Sequence, residues 1–270
     1  MAAASRGAGV RRAVKHVLAA GHRSRPAAGT TILIYHRIGG GTPDERDVTA
    51  TDFEAQVAVL DGHRVVGLDT ALDELEAGDD SPKLVLTFDD GFADVYETAW
   101  PLLRDADLPF TIYLATAYIG GTMDWEGSTA TASGPALSWT QLEELAASPL
   151  VTIGNHTHTH ARPEALTAGE LDRCTQEVEQ RLAITPRHFC FTWGVAVPEA
   201  RPLLAERFRS AVTGEVGRNH PGDDVLALRR IPVRATDPLS FFRARLGGGL
   251  WPQYAYEALV RGAKRLGVSG

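Results

Sequence analysis

Residues 83–103 read KLVLTFDDGFADVYETAWPLL, and they decide the fold. The first six, KLVLTF, form an unbroken apolar run of the length and composition of a buried strand. Asp89-Asp90-Gly91 follows, and then Phe92, Val95, Tyr96, Ala99, Trp100 and Leu103 recur at helical spacing. An Asp-Gly pair alone signals a hairpin, which needs a second strand after the glycine. A helical pattern stands there instead, so the stretch is a strand–turn–helix unit of the kind that links parallel strands.

The rest of the chain repeats this alternation. TILIYH, ending at Tyr35-His36, reads as a buried strand, and ATDFEAQVAVL (50–60) reads as a helix capped by Thr51 or Asp52. Strands are expected at 110–116, 150–155, 188–194, the RSAVTG stretch and 227–233, with helices at 140–148, 168–183 and 198–208. Strands alternating with helices imply an α/β architecture on a parallel sheet, and the number of units suits a barrel. In such barrels functional groups gather where strands end and the following loops begin. His36, Asp89-Asp90, His156–His160 and Trp193-Gly194 each follow an expected strand.

Composition fits a globular protein: 44% hydrophobic and 23% charged residues over 270 positions. No run approaches the ~18–20 apolar residues that cross a bilayer. Cys174 and Cys190 are too few for a disulfide framework and read as thiols. Residues 1–26 hold six basic residues and no acid, which leaves the remainder at net −13. Such an acidic body repels phosphate, so nucleic acid is not an expected partner. Within the basic start, Val10, Val14, Val17 and Leu18 recur at helical spacing between Arg11, Arg12, Lys15 and His16. Residues 1–29 thus read as a helix or tail, docked on a body that spans 30–270 or lying on an anionic membrane surface. The short apolar stretch there makes a poor secretory signal, so a cytoplasmic or inner-membrane-surface location is expected.

Adjacent carboxylates at a strand end are costly unless a cation neutralises one of them. The segment IGNHTHTH (153–160) supplies partners. In an extended conformation His156, His158 and His160 share one face; in a helical one His156 and His160 pair and His158 points away. Two imidazoles and one carboxylate leave open positions on a metal, the pattern of a catalytic site. Thr157 stands where a helical zinc protease carries its glutamate, so the base falls to Asp89 or Asp90.

TFDDG (87–91) together with HTHTH (156–160) resembles the first two motifs of the polysaccharide deacetylase family, the NodB-homology carbohydrate esterases. The resemblance spans roughly residues 30–240 and implies a deformed (β/α) barrel, a divalent metal, most commonly zinc, and hydrolysis of an acetyl group on a saccharide. By position it makes Asp89 the catalytic base and Asp90, His156 and His160 the metal ligands, with His158 the variable residue between them. Thr157 and Thr159 are then expected to steady the imidazoles. The family's third motif matches Phe189-Cys190-Phe191-Thr192-Trp193-Gly194, which keeps the aromatic–glycine pair and lacks the arginine and proline. Trp193 N–H is the expected oxyanion donor. Arg230, in LRRIPV, is the expected substitute for the missing arginine that holds the base.

Tyr-His-Arg at 35–37 resembles the permuted branch that includes the poly-N-acetylglucosamine deacetylases, which makes His36 the general acid. Its imidazole is expected near a pKa of ~6.5, raised further by neighbouring carboxylates. Trp125, Trp139 and Trp193 read either as exposed rings able to stack on sugars or as core side chains. The implied activity is metal-dependent removal of N-acetyl groups from an aminosugar-containing saccharide. An O-acetyl esterase and an inactive sugar-binding module are the other readings.

Overall fold

A computed structural model of the chain describes residues 2–20, 27–128 and 132–265. Seven parallel strands form its sheet: β1 (Thr30–Tyr35), β2 (Lys83–Phe88), β3 (Phe110–Leu114), β4 (Val151–Asn155), β5 (His188–Cys190), β6 (Ser210–Val212) and β7 (Ile231–Pro232). Their order across the sheet is β6-β5-β4-β3-β2-β1-β7, with every ladder parallel. Strands consecutive in sequence are neighbours, and β7 lies beside β1, so the sheet curls into a (β/α) barrel with a seam between β6 and β7. The expected α/β barrel is present.

The strands read as continuous apolar runs because both of their faces are buried. Leu33, Leu86, Ile112 and Ile153 join the large cluster under the surrounding helices. Their neighbours Ile32, Val85 and Tyr113 join Cys190, Val212 and Leu228 in the inner cluster. The helices are α1 (Ala2–Ala19), α2 (Ala50–Leu60), α3 (Leu68–Glu76), α4 (Trp100–Asp105), α5 (Trp139–Ala146), α6 (Ala168–Leu182), α7 (Arg201–Ala205), α8 (Leu239–Leu246) and α9 (Trp251–Arg265). Leu68, Ala71 and Leu72 of α3 pack on the inner cluster. Asp69 of the same helix binds Arg187, His188 and Arg209, which precede or begin β5 and β6, so α3 covers the end where the strands start.

Several boundaries differ from the sequence expectation. Thr49 caps α2, its Oγ1 accepting from Asp52 N at 3.1 Å, in place of Thr51 or Asp52. The single helix expected from Phe92 is a wide π turn at Val95–Ala99 followed by α4, and Pro101, which has no N–H to donate, stands at the junction. The strand expected over 188–194 stops at Cys190, because Trp193 takes a left-handed φ of +60°. The helix expected over 198–208 is a 3₁₀ turn at Pro198–Ala200 and then α7. The strand expected at 227–233 straddles the seam: Leu228 bridges Val212 of β6, while Ile231 and Pro232 pair with β1.

The basic N-terminal segment is helical as α1. Val14, Leu18 and Ala19 pack with Phe241, Ala244, Tyr256 and Val260 of α8 and α9, whereas Val10 and Val17 stay exposed. Lys15 is buried, donating to Thr236 Oγ1 at 2.7 Å and Asp237 Oδ1 at 2.6 Å. The rest of the expected tail includes residues 21–26, which lie outside the described ones. Among the described residues, no helix is long and apolar enough to cross a membrane.

Candidate active site

The site lies at the C-terminal ends of the strands, as barrel geometry dictates. Asp89 and Asp90 leave β2 through a turn in which Asp90 has φ +77° and Gly91 φ +104°. A Cβ on Gly91 would crowd Leu114 at 3.1 Å, so glycine is required there for both backbone and space. The turn sends the two carboxylates to different partners.

Asp89 is gripped at both oxygens by Arg230: Nη1 donates to Oδ1 at 2.7 Å and Nη2 to Oδ2 at 2.8 Å. Arg230 is itself buried and fixed, donating from Nε to Thr213 O and from Nη1 to Thr87 Oγ1, with Nη2 3.0 Å from Cys190 Sγ. Burial opposes the Asp89 charge, but the guanidinium outweighs it and holds the carboxyl below its ordinary pKa. The crossing of the seam is what brings Arg230 here from the far side of the sheet.

Asp90 faces the histidines. The loop after β4 is neither extended nor helical, because Thr157 (φ +65°) and His160 (φ +52°) are both left-handed. It still brings the outer pair together: His156 Nε2 lies 3.3 Å and His160 Nε2 3.5 Å from Asp90 Oδ1. His158 turns away to Thr116 Oγ1, 3.0 Å from its Nδ1. Burial works against the Asp90 charge, and the two facing imidazoles more than offset it, leaving its carboxyl well below the usual range.

Thr157 and Thr159 do not touch the imidazoles. Thr157 Oγ1 accepts from Ala161 N, and Thr159 is bound to Glu170. These contacts shape the loop, with help from Asn155, whose Oδ1 accepts from Thr157 N and whose Nδ2 donates to Leu171 O. The group that orients His156 is the carbonyl of Cys190, 2.8 Å from Nδ1. A carbonyl only accepts, so Nδ1 donates to it, and this leaves Nε2 to face Asp90. His160 is wedged between Trp125, stacked at 4.0 Å between centroids, and the edge of Trp193 at 5.4 Å.

Among the described residues, two sets bring ligand atoms within 4.8 Å of one another: Asp89, His156 and Cys190, and Asp90, His156 and His160. Arg230 already occupies Asp89 and Cys190. In the second set Asp90 Oδ2 is buried without a hydrogen-bond partner. An orphaned carboxylate oxygen beside two imidazole nitrogens fits a divalent cation of zinc's preferences.

The cavity over these groups measures about 280 Å³, and its lining includes His36, Asp89, Asp90, Trp193 and Arg230. His36 is half-buried there. Burial lowers its pKa to about 4, more than Asp90 and Asp89 raise it, contrary to the raised value expected from the sequence. Trp193 is 42% exposed, and its N–H has no acceptor among the described residues. Trp125 lines the cavity but is buried against His160, and Trp139 is partly buried under Arg181, so of the three tryptophans Trp193 is the one both exposed and on the cavity lining. Sequence reasoning missed Asn155, the Cys190 carbonyl, and Arg46 and Arg234 on the cavity wall. An amide side chain closing a strand just before the histidines was the one available signal for Asn155.

Residues 77–206 match the family model described as polysaccharide deacetylase. No curated protein matches the chain. Among solved structures the chain resembles IcaB from Ammonifex degensii, with 26% identity, 81% of this chain and 97% of that one covered, and a TM-score of 0.69. BC0361, a polysaccharide deacetylase from Bacillus cereus, shares 21% identity over 81% of this chain and 69% of its own, at a TM-score of 0.68. The Streptococcus pyogenes deacetylase PplD, solved with acetate, shares 20% identity over 82% and 99%, at 0.67. The last two support the fold, and residues 77–206, just under half of the chain, carry the match to the polysaccharide deacetylase model.

Proposed function

We propose that the protein hydrolyses N-acetyl groups on an aminosugar within a poly- or oligosaccharide, using a divalent cation, zinc by preference, held by Asp90, His156 and His160. The observation that carries this reading is the contrast within the Asp pair. Asp89 is fully paired with Arg230, while Asp90 keeps a buried oxygen without a partner beside two imidazoles. When bound, the cation supplies Lewis acidity to the acyl carbonyl and to the attacking water.

The chain's own residues supply the proton transfers. Asp89 is ionised at neutral pH, and its oxygens keep lone pairs beyond those given to Arg230, so it takes the water's proton. Trp193 N–H donates to the oxyanion at the cavity mouth. His36 protonates the departing nitrogen. With its pKa lowered to about 4 it is neutral before reaction. It therefore acts as a carrier, taking the proton released at Asp89 and passing it on.

The test is acetate release from N-acetylated and O-acetylated aminosugar oligosaccharides, before and after chelation and zinc return, in wild type and His36→Ala. The proposal expects zinc-restored release from the N-acetyl substrate. It also expects a loss in His36→Ala of roughly 10²-fold on the amide and less on an activated ester, which needs little protonation. Release only from the O-acetyl substrate would reassign the enzyme as an esterase. Zinc binding without any release would leave the sugar-binding reading.

A further inference from the structure

We infer that the saccharide carries an anionic group beside the acetylated sugar, and that Arg46 and Arg234 recognise it; this rests on the deacetylase reading above. Both arginines line the catalytic cavity, while their acidic partners, Asp44 and Glu45, do not. The wall therefore shows cations to a ligand and keeps the balancing carboxylates behind.

Arg46 is held rigidly. Its Nε and Nη2 both donate to Asp44, at 2.9 and 2.8 Å, and Asp44 Oδ1 also accepts from Arg46 N at 2.8 Å. Among the described residues nothing takes Nη1, and the side chain stays one-third exposed. A guanidinium fixed on one edge and open on the other is prepared for an anion, because little side-chain freedom remains to be lost.

Arg234 is held loosely by comparison. Glu45 Oε2 is 3.9 Å from its Nη1, and Glu45 Oε1 is already taken by Arg11 at 2.6 Å and Thr236 Oγ1 at 3.1 Å. Ala235 N donates to Glu45 O at 2.8 Å, which ties the two arginine-bearing loops together. Deeper in, Arg230 cancels Asp89, and a divalent cation more than cancels Asp90. The cavity is then cationic within a chain of net charge −7. Guanidinium forks match the paired oxygens that carboxylate and phosphate both present, so a sugar acid and a phosphorylated sugar are the two sources of one chemistry.

The experiment uses the whole zinc-loaded protein and three N-acetylglucosamine oligosaccharides: neutral, with a neighbouring glucuronate, and with a neighbouring phosphate monoester. We expect at least one anionic substrate to exceed the neutral one by about tenfold in kcat/KM, mostly through KM, with the advantage shrinking as salt rises. Arg46→Gln and Arg234→Gln should each erode that ratio several-fold, and Arg46→Lys should restore part of it; unchanged thermal melts certify folding. Which anion wins identifies the source. Equal turnover of all three substrates, or variants that slow all three alike, overturns the inference and leaves the deacetylase reading standing. No acetate from any substrate overturns both.

Discussion

Two buried aspartates show how one residue type serves two ends. Asp237 accepts from Lys15 Nζ at 2.6 Å on Oδ1, and from Arg245 Nη2 at 2.6 Å and Arg234 N at 2.9 Å on Oδ2. Both buried cations of that cluster reach this one carboxylate, whose two oxygens are thereby satisfied, and the cluster binds α1 to α8. Asp90 is equally buried, but among the described residues its carboxylate pairs with two imidazole nitrogens through Oδ1 alone, and Oδ2 has no partner. A buried carboxylate that the fold fully satisfies is a structural part; one that the fold leaves short is waiting for a ligand. Burial and charge alone do not separate them, and a count of partners does.

The sharpest way to break this comparison is to delete each carboxylate. Asp90→Ala should strip the metal and lower kcat/KM by on the order of 10³-fold or more, while the fold of the metal-free protein survives. Asp237→Ala should instead cost about 3–5 kcal/mol, because Lys15 and Arg245 are left buried and unpaired, and the folded fraction should keep its metal. Metal analysis and denaturant melts of both variants decide it. A metal-depleted but stable Asp237→Ala would dissolve the distinction.

Asp89→Asn comes next. Its metal content should match wild type, with kcat lower by at least ~10²-fold, the scale of losing a general base. Loss of metal would mean that the two strand-end aspartates exchange roles.

Arg230→Met should act through Asp89 and show in the pH profile. Burial raises the Asp89 pKa and Arg230 lowers it, with a net value below the ordinary one. Removing the guanidinium leaves burial unopposed, so the ionised base should persist only at higher pH. The acid limb of kcat/KM should move up by about 1–2 pH units. A limb that stays in place would free Asp89 from its dependence on Arg230.

The smallest effect belongs to His158→Ala, which removes the contact with Thr116. It should cost about 1 kcal/mol with metal content unchanged. Equal loss of metal at His156, His158 and His160 would restore the extended reading of that segment.

What could be read in the sequence was whatever has a local cause. The parallel barrel followed from apolar runs alternating with helical periodicity, and the ligand candidates from their places at strand ends. The histidine loop illustrates the limit. Spacing offered a strand or a helix, and the chain uses neither, because left-handed Thr157 and His160 are fixed by Asn155 and packing that no periodicity encodes. Arg230 stood in the sequence as one of two adjacent arginines. Its place beside Asp89 depends on a seam that only the closed sheet creates. His36 was placed correctly at the cavity but its titration was misjudged, since neighbouring carboxylates are visible in sequence and burial is not. Helix α3 was missed although Leu68, Ala71, Leu72 and Leu75 keep helical spacing, all of them buried.

The clamp between Lys15 and Asp237 joins positions 222 residues apart. On a ribosome adding about 5–20 residues per second, α1 emerges more than ~10 s before its acceptor exists. Through that interval Arg11, which later binds Glu45, has no C-terminal platform to hold it in place. Thr236, the second ligand of Glu45, is also still unmade. The loops carrying Arg46 and Arg234 are therefore among the last parts of the molecule to be set. A nascent chain stalled before residue 237 would already hold its aspartates and histidines in sequence, while the residues that finish the entrance were still to come.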